Sequence, residues 1–182
     1  MSIFEKEQPA LHTARLKLRA FTLADASRVQ QLAGAEEIAD VTANLPYPYP
    51  DGLAEQWIGT HPEKWRAGEQ ASYAMTLGKT GAPIGCISLV DINKDSAETG
   101  YWLGLEYWGN GYVTEACHAL LDFAFGVLNL NSVSARVLQR NPTSARVLIK
   151  CGFTQVGSRI EKCGYRQENE ECFLFEKNKY DD

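Results

Sequence analysis

Two short segments carry residue types at spacings that can do chemistry. Trp108-Gly109-Asn110-Gly111-Tyr112-Val113 sets two glycines immediately before a helical apolar pattern. A glycine turn entering a helix lets successive backbone N–H groups converge on an anion, and the helix dipole adds favourable potential, which suits a pyrophosphate. The same residues also read as a plain tight turn, so this segment alone leaves both readings open. The second segment is Arg140-Asn141-Pro142-Thr143-Ser144, followed by Lys150-Cys151-Gly152-Phe153. Asn at the cap and Pro at the first helical position make a sound helix start. A side-chain amide placed after a strand can equally bond a ligand's amides, and the Ser144 hydroxyl, three residues on, faces nearly the same way.

Other patterns fail on their chemistry. Gly78-Lys79-Thr80 ends like a phosphate-binding P-loop, but Tyr73 stands where the earlier glycine belongs, and the segment reads as a hairpin turn. Thr114 replaces the third glycine of a dinucleotide fingerprint after Gly109 and Gly111. Asp91-x-Asn93-x-Asp95 begins like a calcium loop, yet Ser96 replaces its glycine and Trp102 its glutamate. His12, His61 and His118 have no metal-ligand spacing, and each reads as a surface or hydrogen-bonded residue. Cys117 and His118 adjoin on a helix and point roughly 100° apart, which rules out a nucleophile–base pair. No metal or nucleophile chemistry is expected.

The elements that must position the two segments follow from patterning. Arg15–Phe21 alternates and reads as a strand. Thr22 caps a helix carrying Leu23, Val29, Leu32 and Ala33, and Leu45–Pro50, with three prolines, cannot be helical. Asp51 starts a second helix through Trp57 that Pro62 is expected to disturb. Strands follow at about 72–77, 84–90 and 97–103, the last after a turn at Asn93–Ser96. A long helix carries Val113, Ala116, Cys117, Leu120, Leu121, Phe123 and Ala124. A strand at about 133–138, a helix from Pro142 stopped by Gly152, and strands at about 154–159 and 171–175 joined by a Gly164–Gln167 turn complete the pattern. Such mixing predicts an α+β fold with a mixed sheet.

Composition bounds the rest. The chain has 182 residues, 45% of them hydrophobic, which predicts one domain over 1–182 with a full core. Its formal charge of −5 argues against nucleic-acid binding. The N-terminal residues lack the apolar core of a signal peptide, and Ala116–Leu130 is too short to cross a bilayer. Five cysteines without a Cys-x-x-Cys pair read as reduced thiols, so a cytoplasmic protein that avoids membranes is expected.

The two segments, in this order and spacing, resemble the GNAT superfamily of acetyl-CoA-dependent N-acetyltransferases, and most closely the ribosomal-protein N-terminal acetyltransferases of the RimJ/RimL type. Thr13-x-Arg15-Leu16-x-Leu18-Arg19, Leu45-Pro46-x-Pro48-Tyr49 and Ile84-Gly85 carry the resemblance across almost the whole chain. Two positions depart from the wider superfamily: Trp108 opens the phosphate loop, as is common in this branch, and Val113 closes it in place of a smaller residue.

The resemblance implies a mostly antiparallel sheet, flanked by helices and splayed between its fourth and fifth strands, here about Ala97–Leu103 and Val133–Leu138. Acetyl-CoA would lie there, with its pantetheine on strand backbone near Trp102 and Leu103 and its pyrophosphate on Trp108, Gly109, Asn110, Gly111, Tyr112 and Val113. Asn141 would hold the pantetheine arm, and Ser144 would meet the thioester sulfur. A backbone N–H at Leu103 or Trp102 would face the carbonyl oxygen. Transfer would be direct, without a metal. Glu98 is the candidate base, since strand alternation sets it on one face with Gly100 and Trp102; Glu115 reads as structural. Tyr47, Tyr49 and Trp57 would wall the acceptor site. The resemblance implies a protein N-terminus as acceptor, or alternatively a polyamine or amine-bearing antibiotic; a non-catalytic acyl-CoA-binding module is the reading from outside enzymology. Both monomer and homodimer fit the family.

Overall fold

The computed structural model describes residues 2–78 and 81–181. The strands are β1 (Leu11–His12), β2 (Leu16–Arg19), β3 (Ala71–Leu77), β4 (Pro83–Val90), β5 (Ser96–Leu103), β6 (Ser132–Leu138), β7 (Thr154–Cys163) and β8 (Glu168–Asn178). The helices are α1 (Ala26–Ala33), α2 (Glu36–Val41), α3 (Leu53–Arg66), α4 (Tyr112–Asp122) and α5 (Pro142–Lys150). The strands form one sheet in the order β1-β2-β3-β4-β5-β6-β8-β7. Among the described residues, only β5 and β6 run parallel, because α4 carries the chain back between them.

Strand alternation gives the sheet two apolar faces. Tyr73, Met75, Ile87, Leu89, Val133 and Phe175 pack under α4, through its Ala116 and Leu120. Ala74, Cys86 and Trp102 take the other face with Val29 and Leu32 of α1 and Ile58 of α3. The β5–β6 ladder is short: Ser96, Ala97 and Glu98 pair with Ser132, Val133 and Ser134, and pairing goes no further. On its other edge β6 pairs with β8 along its whole length.

Local physics corrects several expectations. The strand expected over 15–21 is confined to Leu16–Arg19, with β1 added beside it. Leu23 lies in a 3-10 turn before α1 and is 64% exposed, so it is not part of the apolar face. α2 carries only Ile38 and Ala39 as buried residues, too brief a pattern to stand out in sequence. Pro62 does not disturb α3, which continues to Arg66 because Ile58, His61 and Trp65 bury one continuous face. His61 is neither exposed nor hydrogen-bonded: both ring nitrogens are buried without a partner among the described residues, and Phe21 and Trp57 pack on its ring. Burial, aided by Lys64, pushes its pKa down to about 4. The final hairpin is longer than expected, its turn closed by Gln167 N donating to Gly164 O at 3.2 Å. Lys79 and Thr80, in the turn expected at Gly78–Gly81, lie outside the described residues.

Asp25 locks α1 to the sheet. Its carboxylate accepts from Arg19 Nη1 at 2.7 Å, Arg19 Nη2 at 2.8 Å and the Thr22 N–H at 2.8 Å. Burial opposes its ionisation, but these bonds outweigh burial and hold the carboxyl below its ordinary value. A depressed acid contributes stability that is present above its unfolded pKa, about 4, and lost as pH falls through the folded one. Asp25→Asn is expected to cost about 2 kcal/mol at neutral pH in urea unfolding, with the gap from wild type closing as the solution is acidified below about pH 4.

Candidate functional site

Where the β5–β6 ladder ends, a cavity of about 850 Å³ opens, lined by 99–103 of β5 and 135–138 of β6. The β5 backbone shows which groups face it. Gly104 N donates to Ile84 O at 2.9 Å, and Trp102 and Gly100 sit opposite Cys86 and Ser88. By alternation, the N–H groups of Trp102 and Gly100 turn toward β4, while those of Tyr101 and Leu103 turn toward the open edge. Of the two expected backbone donors, the Leu103 N–H faces the cavity and the Trp102 N–H does not. The Trp102 side chain packs with Val29 and Cys86. The Leu103 carbonyl is held by the Trp108 indole, whose Nε1–H donates to it at 2.7 Å.

The glycine turn is built as a rigid piece. Gly109 and Gly111 both take φ of +76°, a conformation that L side chains enter at a cost of roughly 1–2 kcal/mol. Asn110 Nδ2 donates to Tyr107 O at 3.0 Å and Trp108 O at 3.1 Å, while its own carbonyl accepts from Arg15 Nη1 at 2.9 Å. Trp108, Gly109, Gly111, Tyr112 and Val113 line the cavity; Asn110 is not among its lining residues and shapes the turn instead. Glu115 fixes the arrangement by accepting from Thr13 Oγ1 at 2.5 Å, Arg15 N at 2.8 Å and Arg15 Nε at 2.6 Å. The Arg15 guanidinium also lies 4.6 Å from the centroid of the Tyr112 ring. Glu115 therefore holds the turn, as a structural residue would.

Across the cavity, Asn141 caps α5 by accepting from Ser144 N at 3.2 Å through Oδ1. Its Nδ2 has no hydrogen bond among the described residues. Ser144 Oγ lies 2.8 Å from Tyr101 OH, with either hydroxyl able to donate. Burial pushes the Tyr101 pKa up, so the phenol stays protonated. Tyr101 is a residue that sequence reasoning missed. Its only signal was the alternation that sets it opposite Glu98, Gly100 and Trp102. Thr99 lies on Tyr101's face, and its buried Oγ1 has no partner among the described residues.

The far end is charged but balanced. Glu98 Oε1 accepts from Arg136 Nε at 2.8 Å, and Arg136 Nη1 reaches Glu161 Oε1 at 3.2 Å. Arg159 Nε donates to Glu161 Oε2 at 2.8 Å. Tyr49 and Trp57 are among the residues lining the cavity. Tyr47 is not: its ring packs edge-on against Tyr165, 5.5 Å between centroids, in a loop contact outside the cavity. Arg140 ties α2 to the last hairpin, donating to Asp40 Oδ2 at 2.7 Å and Glu170 Oε2 at 2.5 Å.

A family model described as an acetyltransferase (GNAT) domain matches residues 15–154. A Bacillus licheniformis protein, described as the uncharacterized N-acetyltransferase p20, is 30% identical over 81% of this chain and 83% of its own length. Two solved structures share the fold. Ribosomal-protein-S5-alanine acetyltransferase from Vibrio fischeri superposes with a TM-score of 0.82 over 95% of this chain and 98% of its own, at 21% identity. Spermidine N-acetyltransferase from Vibrio cholerae, solved with CoA and spermine, gives 0.78 over 91% and 96%, at 20% identity.

The two functions available to Asn141 separate by substitution. Asn141→Ala is expected to lose about 1 kcal/mol with the helix cap, whereas Asn141→Asp keeps an acceptor oxygen and should unfold within a few tenths of a kcal/mol of wild type in the same denaturant titration.

Proposed function

The chain belongs to the GNAT acetyltransferase family and is an acetyl-CoA-dependent N-acetyltransferase, and from that premise we propose that it acetylates the α-amino group of a protein N-terminus, of the ribosomal-protein alanine or serine kind. We further propose that one domain spanning the chain does this in the cytoplasm, a reducing compartment that suits five free cysteines. The observation that carries the site assignment is the joint lining of one cavity by the Trp108–Val113 turn, Asn141, Ser144 and the Leu103 strand edge.

The residues fit acetyl-CoA by the chemistry of their free groups. A strand edge with unpaired N–H groups suits the amides of a pantetheine arm, as does the unengaged Nδ2 of Asn141, and the positive-φ glycine turn at a helix start suits a pyrophosphate. Acetyl-CoA supplies an activated acetyl thioester. Leu103 N–H is placed to donate to the carbonyl oxygen as charge develops there. Ser144 Oγ would donate a hydrogen bond to the departing sulfur while accepting one from Tyr101 OH, 2.8 Å away, and the thiolate would then take its proton from solvent. Glu98, whose Oε2 has no hydrogen bond among the described residues, takes the amine proton through water.

The charge balance at the acceptor end favours a protein N-terminus over a polyamine. Glu98 and Glu161 are both engaged by Arg136, and Glu161 also by Arg159, so two carboxylates face two guanidiniums. A polyamine with several ammonium groups needs uncompensated carboxylates, whereas a peptide end carries a single ionisable amine.

CoA release measured against peptides with free Ala, Ser or Thr ends, polyamines and amino sugars tests the acceptor; saturable turnover is expected on the peptides, and turnover confined to small amines would overturn it. Ser144→Ala and Tyr101→Phe should each lower kcat about ten- to a hundredfold with acetyl-CoA affinity nearly retained. Asn141→Asp should weaken acetyl-CoA binding despite its intact cap. Glu98→Gln should lose about a hundredfold at neutral pH and progressively less in alkali, where the amine deprotonates unaided; a pH–rate profile parallel to wild type removes Glu98 as base.

A further inference from the structure

Cys163, at the end of β7, and Cys172, in β8, are only 5% and 0% exposed, and their sulfurs stand 3.5 Å apart. Glu161 Oε1 lies 3.9 Å from Cys163 Sγ, and one ligand atom from each of the three residues falls within 4.8 Å of the others. All three line the cavity, beside Leu138. We propose that Glu161, Cys163 and Cys172 form a binding site for a thiophilic divalent cation, zinc, whose fourth coordination position opens into the acceptor end of the cavity.

The sulfur separation fits coordination, while the Glu161 carboxylate oxygen, 3.9 Å from Cys163 Sγ, must move closer to share the ion. Two Zn–S bonds of about 2.3 Å at a tetrahedral angle set the sulfurs about 3.8 Å apart, close to the separation observed. A disulfide would need them at about 2.05 Å. Two thiolates and one carboxylate on a single centre suit zinc in preference to magnesium or calcium, which take oxygen ligands. Arg159 holds Glu161 through Oε2, and Arg136 reaches both of its oxygens at 3.2 and 3.4 Å. Oε1 has a second lone pair for the ion, and the arginines orient the carboxylate as outer-shell partners do.

Charge balances as well. The two thiols release their protons to solvent as the Zn–S bonds form, so two thiolates neutralise the dication while Glu161 stays compensated by its arginines. The open position would take water or the nitrogen of an arriving amine. A nitrogen lone pair donated to zinc cannot attack a thioester, so the occupied site should slow acetyl transfer. The ion is an inhibitor in this scheme and takes no part in the reaction.

The test uses the reduced, chelator-stripped full chain titrated with Co²⁺, and with Zn²⁺ in competition with a chromophoric chelator. One ion per chain is expected, with thiolate-to-cobalt charge-transfer absorption that is lost in Cys163→Ala and Cys172→Ala and retained in Cys86→Ala. Circular dichroism establishes that each variant is folded. Glu161→Gln, which leaves both thiols in place, should weaken zinc binding at least about tenfold, and it answers the question if a buried cysteine variant fails to fold. Zinc should slow CoA release from the wild type reversibly, with the sensitivity lost in Cys172→Ala. Absence of the charge-transfer band in the folded wild type, or its persistence in Cys172→Ala, overturns the site.

Discussion

The parallel ladder between β5 and β6 stops after Glu98 and Ser134, and the whole site depends on that stop. Had pairing continued, the N–H groups of Tyr101 and Leu103 would be bonded to β6, and no cavity would separate the strands. Leaving strand edges unpaired in an interior is costly, since each buried polar group without a partner costs about 1–3 kcal/mol. The fold sustains it by pairing β6 fully with β8, and β5 with β4 from Glu98 to Leu103, on their outer edges. One carbonyl on the open edge is satisfied locally, because the Trp108 indole reaches back to Leu103 O. The same bond fixes the start of the glycine turn relative to the strand, so the turn and the backbone edge are placed by one contact.

A second set of bonds keeps the turn rigid. Glu115 gathers Thr13 and Arg15 from the segment between β1 and β2, and Arg15 in turn holds the Asn110 carbonyl. Residues about a hundred positions apart are thereby joined across the first turn of α4. An anion-binding turn works by pre-aimed N–H groups, which lose value if the loop must be ordered on binding. The Arg15–Glu115 pair is partly exposed and contributes little as an isolated ion pair. Its value lies in the backbone atoms it immobilises.

What was legible in the sequence was local. The Asn141–Pro142 helix start, the Gly152 stop, the glycine turn and most strands depend on near neighbours, and all were read within a few residues. α2 escaped because its apolar signal is two residues, Ile38 and Ala39, and Pro62 misled because burial of His61 and Trp65 outweighs a missing helical bond. The pairings of Tyr101 with Ser144, Arg136 with Glu98 and Glu161, and Cys163 with Cys172 were invisible for another reason. Each joins residues across different strands or helices, and strand register, which no local pattern states, decides who meets whom. Tyr47 shows the converse. An aromatic in this proline-rich segment suits an acceptor wall by sequence, but tertiary packing sets its ring against Tyr165.

Register also sets the electrostatics that an acceptor meets. Glu98 and Ser134 are the last paired residues of the β5–β6 ladder, so Arg136, two residues on and on the same face as Ser134, is delivered beside the Glu98 carboxylate. Arg159 and Glu161 reach the same place from β7, where a register shift between Gln155 and Gly157 re-aims the strand. The four charges form an alternating cluster whose net charge is zero. Such a partly exposed cluster stabilises little, since water screens its charges, so its proposed consequence is selectivity. On the proposed reading, a multiply charged amine would find no surplus of carboxylate to repay the loss of its hydration. A neutral peptide with one amine has only one charge to desolvate, and it loses that charge before attack in any case.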